Sequence, residues 1–506
     1  MSALNDFATW EPLLRLLRSA HAEKLAAPGG YVAGVIGRGS STVPLKWRSP
    51  EPGRASLLSD YQAQHDAIRR VRAVVPDTGS GGVAFTVEIA PEGRAVLRLF
   101  DLGPAAGSGP GNAHPRVLVR VEGAVPEPWR RRPEPVPGVR SAPSVDPEAL
   151  ERTLRERIPG AIGATEEEIA AAEARLGVAL PEEVKVLYRV TRARWEDWGG
   201  HEEAESVHAA VGFELSSLDH LAVFDASSRY FSWEHGAMEV SVTLPDAAVQ
   251  DLVGSPGWIV IGGTGFGDQV AVDLTPGPRG HLGQVIVVDH EQSIGACLLA
   301  ESLTDLVANP GRDWSARRSW DRLPFVARVH HRGVPSVEAA AHPDLEVLNL
   351  GVWDGEPFSL APVLALPRLR TLSASRGTLA DPREVGRLSG LEFVALTPED
   401  WRVLLDAGAV PHSLSAAAIT VNGDRDPRRT IALANEILAL WDRPLITETV
   451  VHGDLGPLPT SGPESTAGRG GEPQPPRPAG ERQGLGRVLP GLPGTPEPGP
   501  GPGADG

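Results

Sequence analysis

The stretch Ala164–Val190, ATEEEIAAAEARLGVALPEEVKVLYRV, leaves little conformational choice, because it reads as two capped helices in series. Thr165 stands where a hydroxyl would accept from the first free amides of a helix, and Glu168, three residues on, can reach back to close a capping box. Ile169, Ala172 and Leu176 follow at helical spacing as one narrow apolar stripe, while Glu166, Glu167 and Arg175 face water. Gly177 can end that helix in the left-handed conformation. Beyond Leu180, Pro181 opens a second helix where its missing N–H does no harm, with Glu182 and Glu183 against the positive end of the dipole.

A chain of 506 residues is too long for one ordinary core, so two or three domains are expected. Residues 1–123 read as a small α+β domain without a naming motif. Helices are expected from about Trp10 to Leu25 and Leu57 to Val75, and strands at Tyr31–Gly37, Gly82–Ile89, Ala95–Leu102 and Arg116–Gly123. Residues 124–146 are too proline-rich for a helix or sheet and read as a semi-rigid linker. The next segment, 147–310, holds the two capped helices.

In 311–450 leucines recur as L-x-x-L-x-L: Leu345, Leu348 and Leu350; Leu369, Leu372 and Ala374; Leu391, Val394 and Leu396; Leu414, Ala417 and Ile419. The unit starts are 24, 22 and 23 residues apart. That period fits a leucine-rich-repeat-like αβ domain, with Thr430–Trp441 as a helix closing the last unit's open edge. Over 451–506 a disordered tail is expected, since more than half the residues from Leu455 onward are Gly or Pro.

The pattern T-x-x-E-I-x-x-x-E-x-x-L-G-x-x-L-P, carried by Thr165, Glu168, Ile169, Glu173, Leu176, Gly177, Leu180 and Pro181, resembles the opening of the SUKH superfamily. That domain is shared by bacterial toxin-immunity proteins and the fungal Smi/Knr-type regulators of cell-wall synthesis. WIVIGGTGFGDQVAVDL, with Trp258, Gly265, Gly267, Asp268 and Asp273, is similar to the family's central hairpin; VIVVDH and LAESLTDLV resemble its next strand and closing helix. The resemblance implies a SUKH-like α+β domain with a mixed or antiparallel sheet, in a non-enzymatic chain that binds a protein partner. It also implies either neutralisation of a toxin or a regulatory scaffold role. After Val190 the family's asparagine-glycine-rich turn is replaced by TRARWEDWGGHEEAES. Trp195, Trp198, Glu202, Glu203 and Glu205 of this segment are therefore candidates for a partner-binding surface, suited to a basic toxin domain. Trp233 is a third aromatic considered for recognition.

Searches for chemistry return little. No G-x-x-x-x-G-K-[ST] or G-x-S-x-G occurs, and GGTGFGD precedes a strand, so it reads as a hairpin turn rather than a dinucleotide loop. Cys297 sits among apolar neighbours, and one cysteine permits neither a disulfide nor a multi-cysteine zinc site. His201, Glu205 and His208 could share a helix face but are not H-E-x-x-H, and Asp268, Asp273 and Asp289 read as turn-capping groups. No catalytic residue, metal or cofactor is assigned; an enzyme in the N-terminal domain is the third reading. Lysine occurs only at Lys24, Lys46 and Lys185, and the net charge is −17, which argues against nucleic acid; Arg130–Arg132 reads as solvated linker. With no apolar run long enough for a span and no signal-peptide lead, a cytoplasmic location is expected.

Overall fold

The computed structural model describes residues 3–45, 57–76, 82–108, 117–230, 232–309, 324–421 and 427–457. Three sheets, each with its own apolar core, make an α+β architecture. The expected tail from residue 458 lies outside the described residues.

In the first sheet all strands are antiparallel: β1 (Val32–Ile36), β2 (Ser41–Thr42), β3 (Val83–Ile89), β4 (Arg94–Asp101) and, from the far end of the chain, β18 (Thr447–Asp454) in the order β18-β4-β3-β1-β2. Helices α1 (Phe7–Ala20), α2 (Ala22–Ala26) and α3 (Leu57–Arg72) accompany it. Trp10, Leu13, Leu14 and Leu17 line one face of α1 and are fully buried, with Trp10 edge-on to Phe85 at 5.2 Å.

The start of the expected tail is corrected here. Val451 and Leu455 are buried in the first core, and Arg15 Nη1 donates to the Leu455 carbonyl at 2.9 Å. Strand β18 lies at the edge of the glycine- and proline-rich segment; its β-branched Thr449, Val450 and Val451 pair with Leu99, Arg98 and Leu97, and the strand as a whole runs along all of β4. Ending the chain before Thr447 should therefore lower the thermal midpoint by many degrees, whereas ending it at Pro457 should leave the midpoint unchanged.

The second sheet is also antiparallel. It runs β12-β11-β10-β9-β7 through β7 (Glu214–Leu215), β9 (Trp258–Gly263), β10 (Gln269–Asp273), β11 (Gln284–Val288) and β12 (Cys297–Ala300), with β8 (Ala222–Val223) also on β9. Ile259, Ile261, Val270, Val272, Val285 and Val287 point to α5 (Pro147–Arg157), α6 (Glu166–Leu176), α7 (Glu182–Val190), α8 (His201–Val211) and α10 (Leu303–Ala308). The alternate residues Trp258, Val260, Ala271, Ile286 and Val288 bury the other face under Phe224, Val249 and Leu252.

The third sheet stacks five parallel strands in register: β13 (Val326–Val329), β14 (Val347–Leu350), β15 (Thr371–Ala374), β16 (Phe393–Leu396) and β17 (Ala416–Ile419). The leucines singled out by their spacing, Leu348, Leu350, Leu372 and Leu396 among them, form one continuous core with α11 (Val337–Ala340), α12 (Pro398–Asp406) and α13 (Pro427–Leu440). The stack's open edge is closed by β6 (Val117–Arg120), antiparallel to β17, and then by β5 (Ala106–Ser108), rather than by a helix alone. The strand expected in the N-terminal sheet at Arg116–Gly123 thus belongs here, because Val117 and Val119 bury their side chains in the stack's core.

The proline-rich segment is packed rather than acting as a spacer. It holds a short helix, α4 (Glu127–Arg130), whose Trp129 is buried with Val253 and Ile294. Its extended backbone is satisfied from outside: Glu134 N donates to Gln250 Oε1 at 2.9 Å, and Gln250 Nε2 returns to the Glu134 carbonyl at 2.8 Å. Arg130 pairs with Glu392, and Arg131 with Glu127 at 2.6 Å and Glu346 at 3.1 Å, so two of the three arginines hold the segment in place, while Arg130 and Arg132 remain exposed to solvent.

Helix α9 (Trp233–Met238) leaves the second sheet and lies against the outer face of the parallel stack. Trp233 is fully buried beside Phe393, Ala395, Ala416 and Ala418, nearly parallel to the Phe393 ring at 6.4 Å. The considered role of Trp233 in recognising a partner is thereby excluded: it recognises the chain's own sheet. Arg370 and Glu346, whose side chains are 8% and 5% exposed, pair at 3.1 Å beside this contact.

Candidate functional site

Thr165 Oγ1 accepts from Glu168 N at 3.2 Å while Glu168 Oε2 accepts from Thr165 N at 2.9 Å, closing the capping box. Gly177 sits at φ 70°, a left-handed conformation that a side chain would oppose. Glu173 reaches across the turn, accepting from Leu180 N and pairing with Lys185, both at 2.8 Å. Ile169 is buried and Leu176 half-buried against the core. Pro181 then precedes α7, and Glu183, the second residue of that helix, is buried with its carboxylate accepting from Leu303 N, Thr304 N and Thr304 Oγ1 at the start of α10.

Gly265 and Gly267, at φ 81° and 102°, turn the β9–β10 hairpin. Asp268 Oδ1 accepts from His290 N at 3.1 Å and pairs with His290 Nδ1 at 2.7 Å, tying that turn to the end of β11. This carboxylate raises the pKa of His290 above the ordinary imidazole value. Among the described residues, Asp268, Asp289 and His290 are the one group of three whose donor atoms converge, within 4.8 Å. Asp289 is occupied with Glu291 N and Gln292 Nε2, so its carboxylate too serves a turn. His201, Glu205 and His208 share α8 without converging, and burial pushes the Cys297 thiol pKa up.

Asp273, at the end of β10, is fully buried and accepts from Thr275 N and Gln284 Nε2. Burial outweighs these bonds and pushes its pKa up to about 6. Between pH 4 and 6 the unfolded chain gives up this proton while the folded chain keeps it, so Asp273 makes stability fall as pH rises through that window. Urea melts should show the advantage of wild type over Asp273→Asn shrinking from pH 4 to 6 and constant above.

A groove of about 970 Å³ opens between residues 192–198, α8 and the strands β7 and β9. Trp195 stands at its mouth, 54% exposed, with its ring edge-on to Trp198 at 6.0 Å and to His201 at 5.0 Å. Trp198 packs on the core and meets His208 at 5.8 Å. Glu202, Glu203 and Glu205 are exposed on α8, but only Glu205 lines the groove; Glu203 Oε2 instead accepts from Gly199 N at 2.7 Å, stiffening the turn before the helix. Sequence reasoning missed Glu214, which β7 brings to the groove from outside the segment singled out. It also missed Phe266, 81% exposed at the hairpin tip. No local pattern marks either, since pairing of β7 with β9 places the first and a turn presents the second.

Residues 163–309 match the SMI1 / KNR4 family (SUKH-1). This segment is an SMI1/KNR4-family (SUKH-1) domain. The domain is similar to part of a Neurospora crassa protein named glucan synthesis regulatory protein, 32% identical over 94 residues, which is 19% of this chain and 18% of the relative. It is likewise similar to the Schizosaccharomyces pombe cell wall biosynthesis/cell cycle regulator smi1, 38% identical over 66 residues, 13% of either chain. The chain thus spans less than a fifth of the length of these curated relatives. No helix among the described residues is long and apolar enough to cross a membrane.

Proposed function

We propose that this chain is a non-enzymatic protein-binding protein whose SMI1/KNR4-family domain holds its partner on the groove beside α8. The observation that carries the reading is Trp195: a large aromatic ring, more than half exposed, braced by Trp198 and His201 at the mouth of the groove. A rigid aromatic ringed by charge supplies contact area at little entropic cost, the usual makeup of an interface hot spot. Of the exposed acids of α8, Glu205 lies on the groove, and Glu202 and Glu203 extend the acidic surface beyond it. The specific form of the activity is immunity-type neutralisation of a toxin, with the acidic balance steering a basic toxin domain. A regulatory scaffold for cell-wall synthesis is the second reading, favoured by the names of the two relatives. We read the parallel stack as a leucine-rich-repeat-like array supporting the domain, and the location as cytoplasmic.

Capture from the native host with wild type and Trp195→Ala tests this. The substitution should weaken partner binding by about 2 kcal/mol and leave the thermal midpoint in place. Trp198→Ala should lower both, because that ring also packs on the core. A captured toxin silenced at equal stoichiometry selects the first form, and a component of cell-wall synthesis the second. Binding indifferent to Trp195, or turnover of a substrate by the purified chain alone, would sink the proposal.

A further inference from the structure

The chemistry of the groove narrows what the partner presents, an argument that rests on the protein-binding reading above. Both arginines that line the groove are committed. Arg192 forks onto Asp197 at 2.6 and 2.8 Å, Arg194 onto Asp219 at 2.6 and 3.1 Å, and both reach Glu168. These pairs consume Asp197 and Asp219 and leave Glu196, Glu205 and Glu214 on the same groove with no arginine or lysine partner among the described residues. Glu205 and Glu214 both lie close enough to His208 to act on its ring, yet burial keeps that imidazole below its ordinary pKa. The ring is therefore neutral at neutral pH and offsets neither carboxylate.

Two exposed carboxylates and a neutral imidazole on one groove with a braced indole make a binding place for a cation that is planar, hydrogen-bonding and able to lie on an aromatic ring. Guanidinium meets all three demands, whereas ammonium offers no plane to fork onto a carboxylate or lie on the indole. The groove's volume of about 970 Å³ exceeds one side chain and accommodates the flanking backbone of a short segment. We propose that the groove receives an arginine-bearing segment of the partner, with the guanidinium between Glu205 and Glu214 and its flank on Trp195.

The test uses the full chain and a fluorescein-labelled GSRGRSG peptide, read by fluorescence anisotropy at low salt. Wild type should bind it saturably, and the same peptide with citrulline in place of arginine should bind at least roughly tenfold more weakly, since citrulline keeps the shape and loses the charge. The double variant Glu205→Gln/Glu214→Gln should weaken binding by about tenfold or more, while Glu148→Gln/Glu167→Gln, which removes equal charge from exposed positions outside the groove, should stay within about twofold. The thermal midpoint of Glu205→Gln/Glu214→Gln should match wild type, and that of the control should fall only slightly, since Glu148 and Glu167 sit in the first turns of α5 and α6. Equal losses in the two double variants, equal binding of the citrulline peptide, or no saturable binding by wild type would each overturn the assignment. A native partner that needs Trp195 but ignores Glu205 and Glu214 would also overturn it, and would leave the protein-binding reading standing.

Discussion

Replacing Trp233 by alanine should destabilise the protein by about 3 to 5 kcal/mol, the range for emptying a fully buried tryptophan site. The effect should reach beyond one helix. Trp233 is the largest side chain in the contact between α9 and the outer face of the parallel stack, where its neighbours are the Phe393 ring and the small side chains Ala395, Ala416 and Ala418. The three alanines are too small to fill the space that the indole leaves, so most of the cavity stays open. The polar part of the contact depends on the same seat: Thr371 Oγ1 donates to the Ala237 carbonyl at 2.8 Å, and Arg370 to the carbonyls of Ala237 and Glu239. Denaturant melts followed by fluorescence and circular dichroism should lose coincidence, the SMI1/KNR4-family domain unfolding apart from the stack. A single transition at the wild-type midpoint would show that α9 does not hold the two together.

Glu183→Ala should cost about 3 kcal/mol, through a different mechanism. Its buried carboxylate satisfies Leu303 N at 3.2 Å and Thr304 N at 3.0 Å, two of the free amides at the start of α10, and the Thr304 hydroxyl as well. Removing this acceptor leaves the Leu303 and Thr304 amides without their partner, which costs more than the net worth of the bonds, while the Thr304 hydroxyl keeps the Asp146 carbonyl. Glu183→Gln keeps one acceptor oxygen and should recover about half of the loss. Hydrogen exchange at Leu303 and Thr304 should speed up in the alanine variant first, and unchanged exchange there would refute the role of Glu183 as a remote cap.

Much of the SMI1/KNR4-family domain was legible because its signals are local. Thr165, Glu168 and Gly177 specify a helix start and stop within a dozen residues, and their bonds are those the spacing implies. The strands Trp258–Gly263 and Gln269–Asp273 were legible through the resemblance of WIVIGGTGFGDQVAVDL to the family's hairpin, since short apolar runs buried on both faces carry no alternation. The groove was half legible. Trp195, Trp198 and Glu205 stood out by composition and by their departure from the family pattern, whereas Glu214 reaches them only through the β7–β9 pairing.

By itself the sequence determined the elements: where helices start, which strands alternate, and which leucines recur at a fixed interval. These are set by backbone capping, side-chain period and turn chemistry, all of which act over a few residues. Only the tertiary structure decided which sheet each strand joins. The segment at Val117–Arg120 is as good a strand beside β4 as beside β17, and Thr447–Asp454 lies at the edge of the glycine- and proline-rich segment, away from the partner it finds in β4. The open edges of β17 and β4 chose them, since unpaired backbone groups and apolar faces must be covered by whatever segment the rest of the fold brings within reach. The same rule turned Trp233 inward, because the outer face of the stack offered it burial that α9 could not find in its own domain.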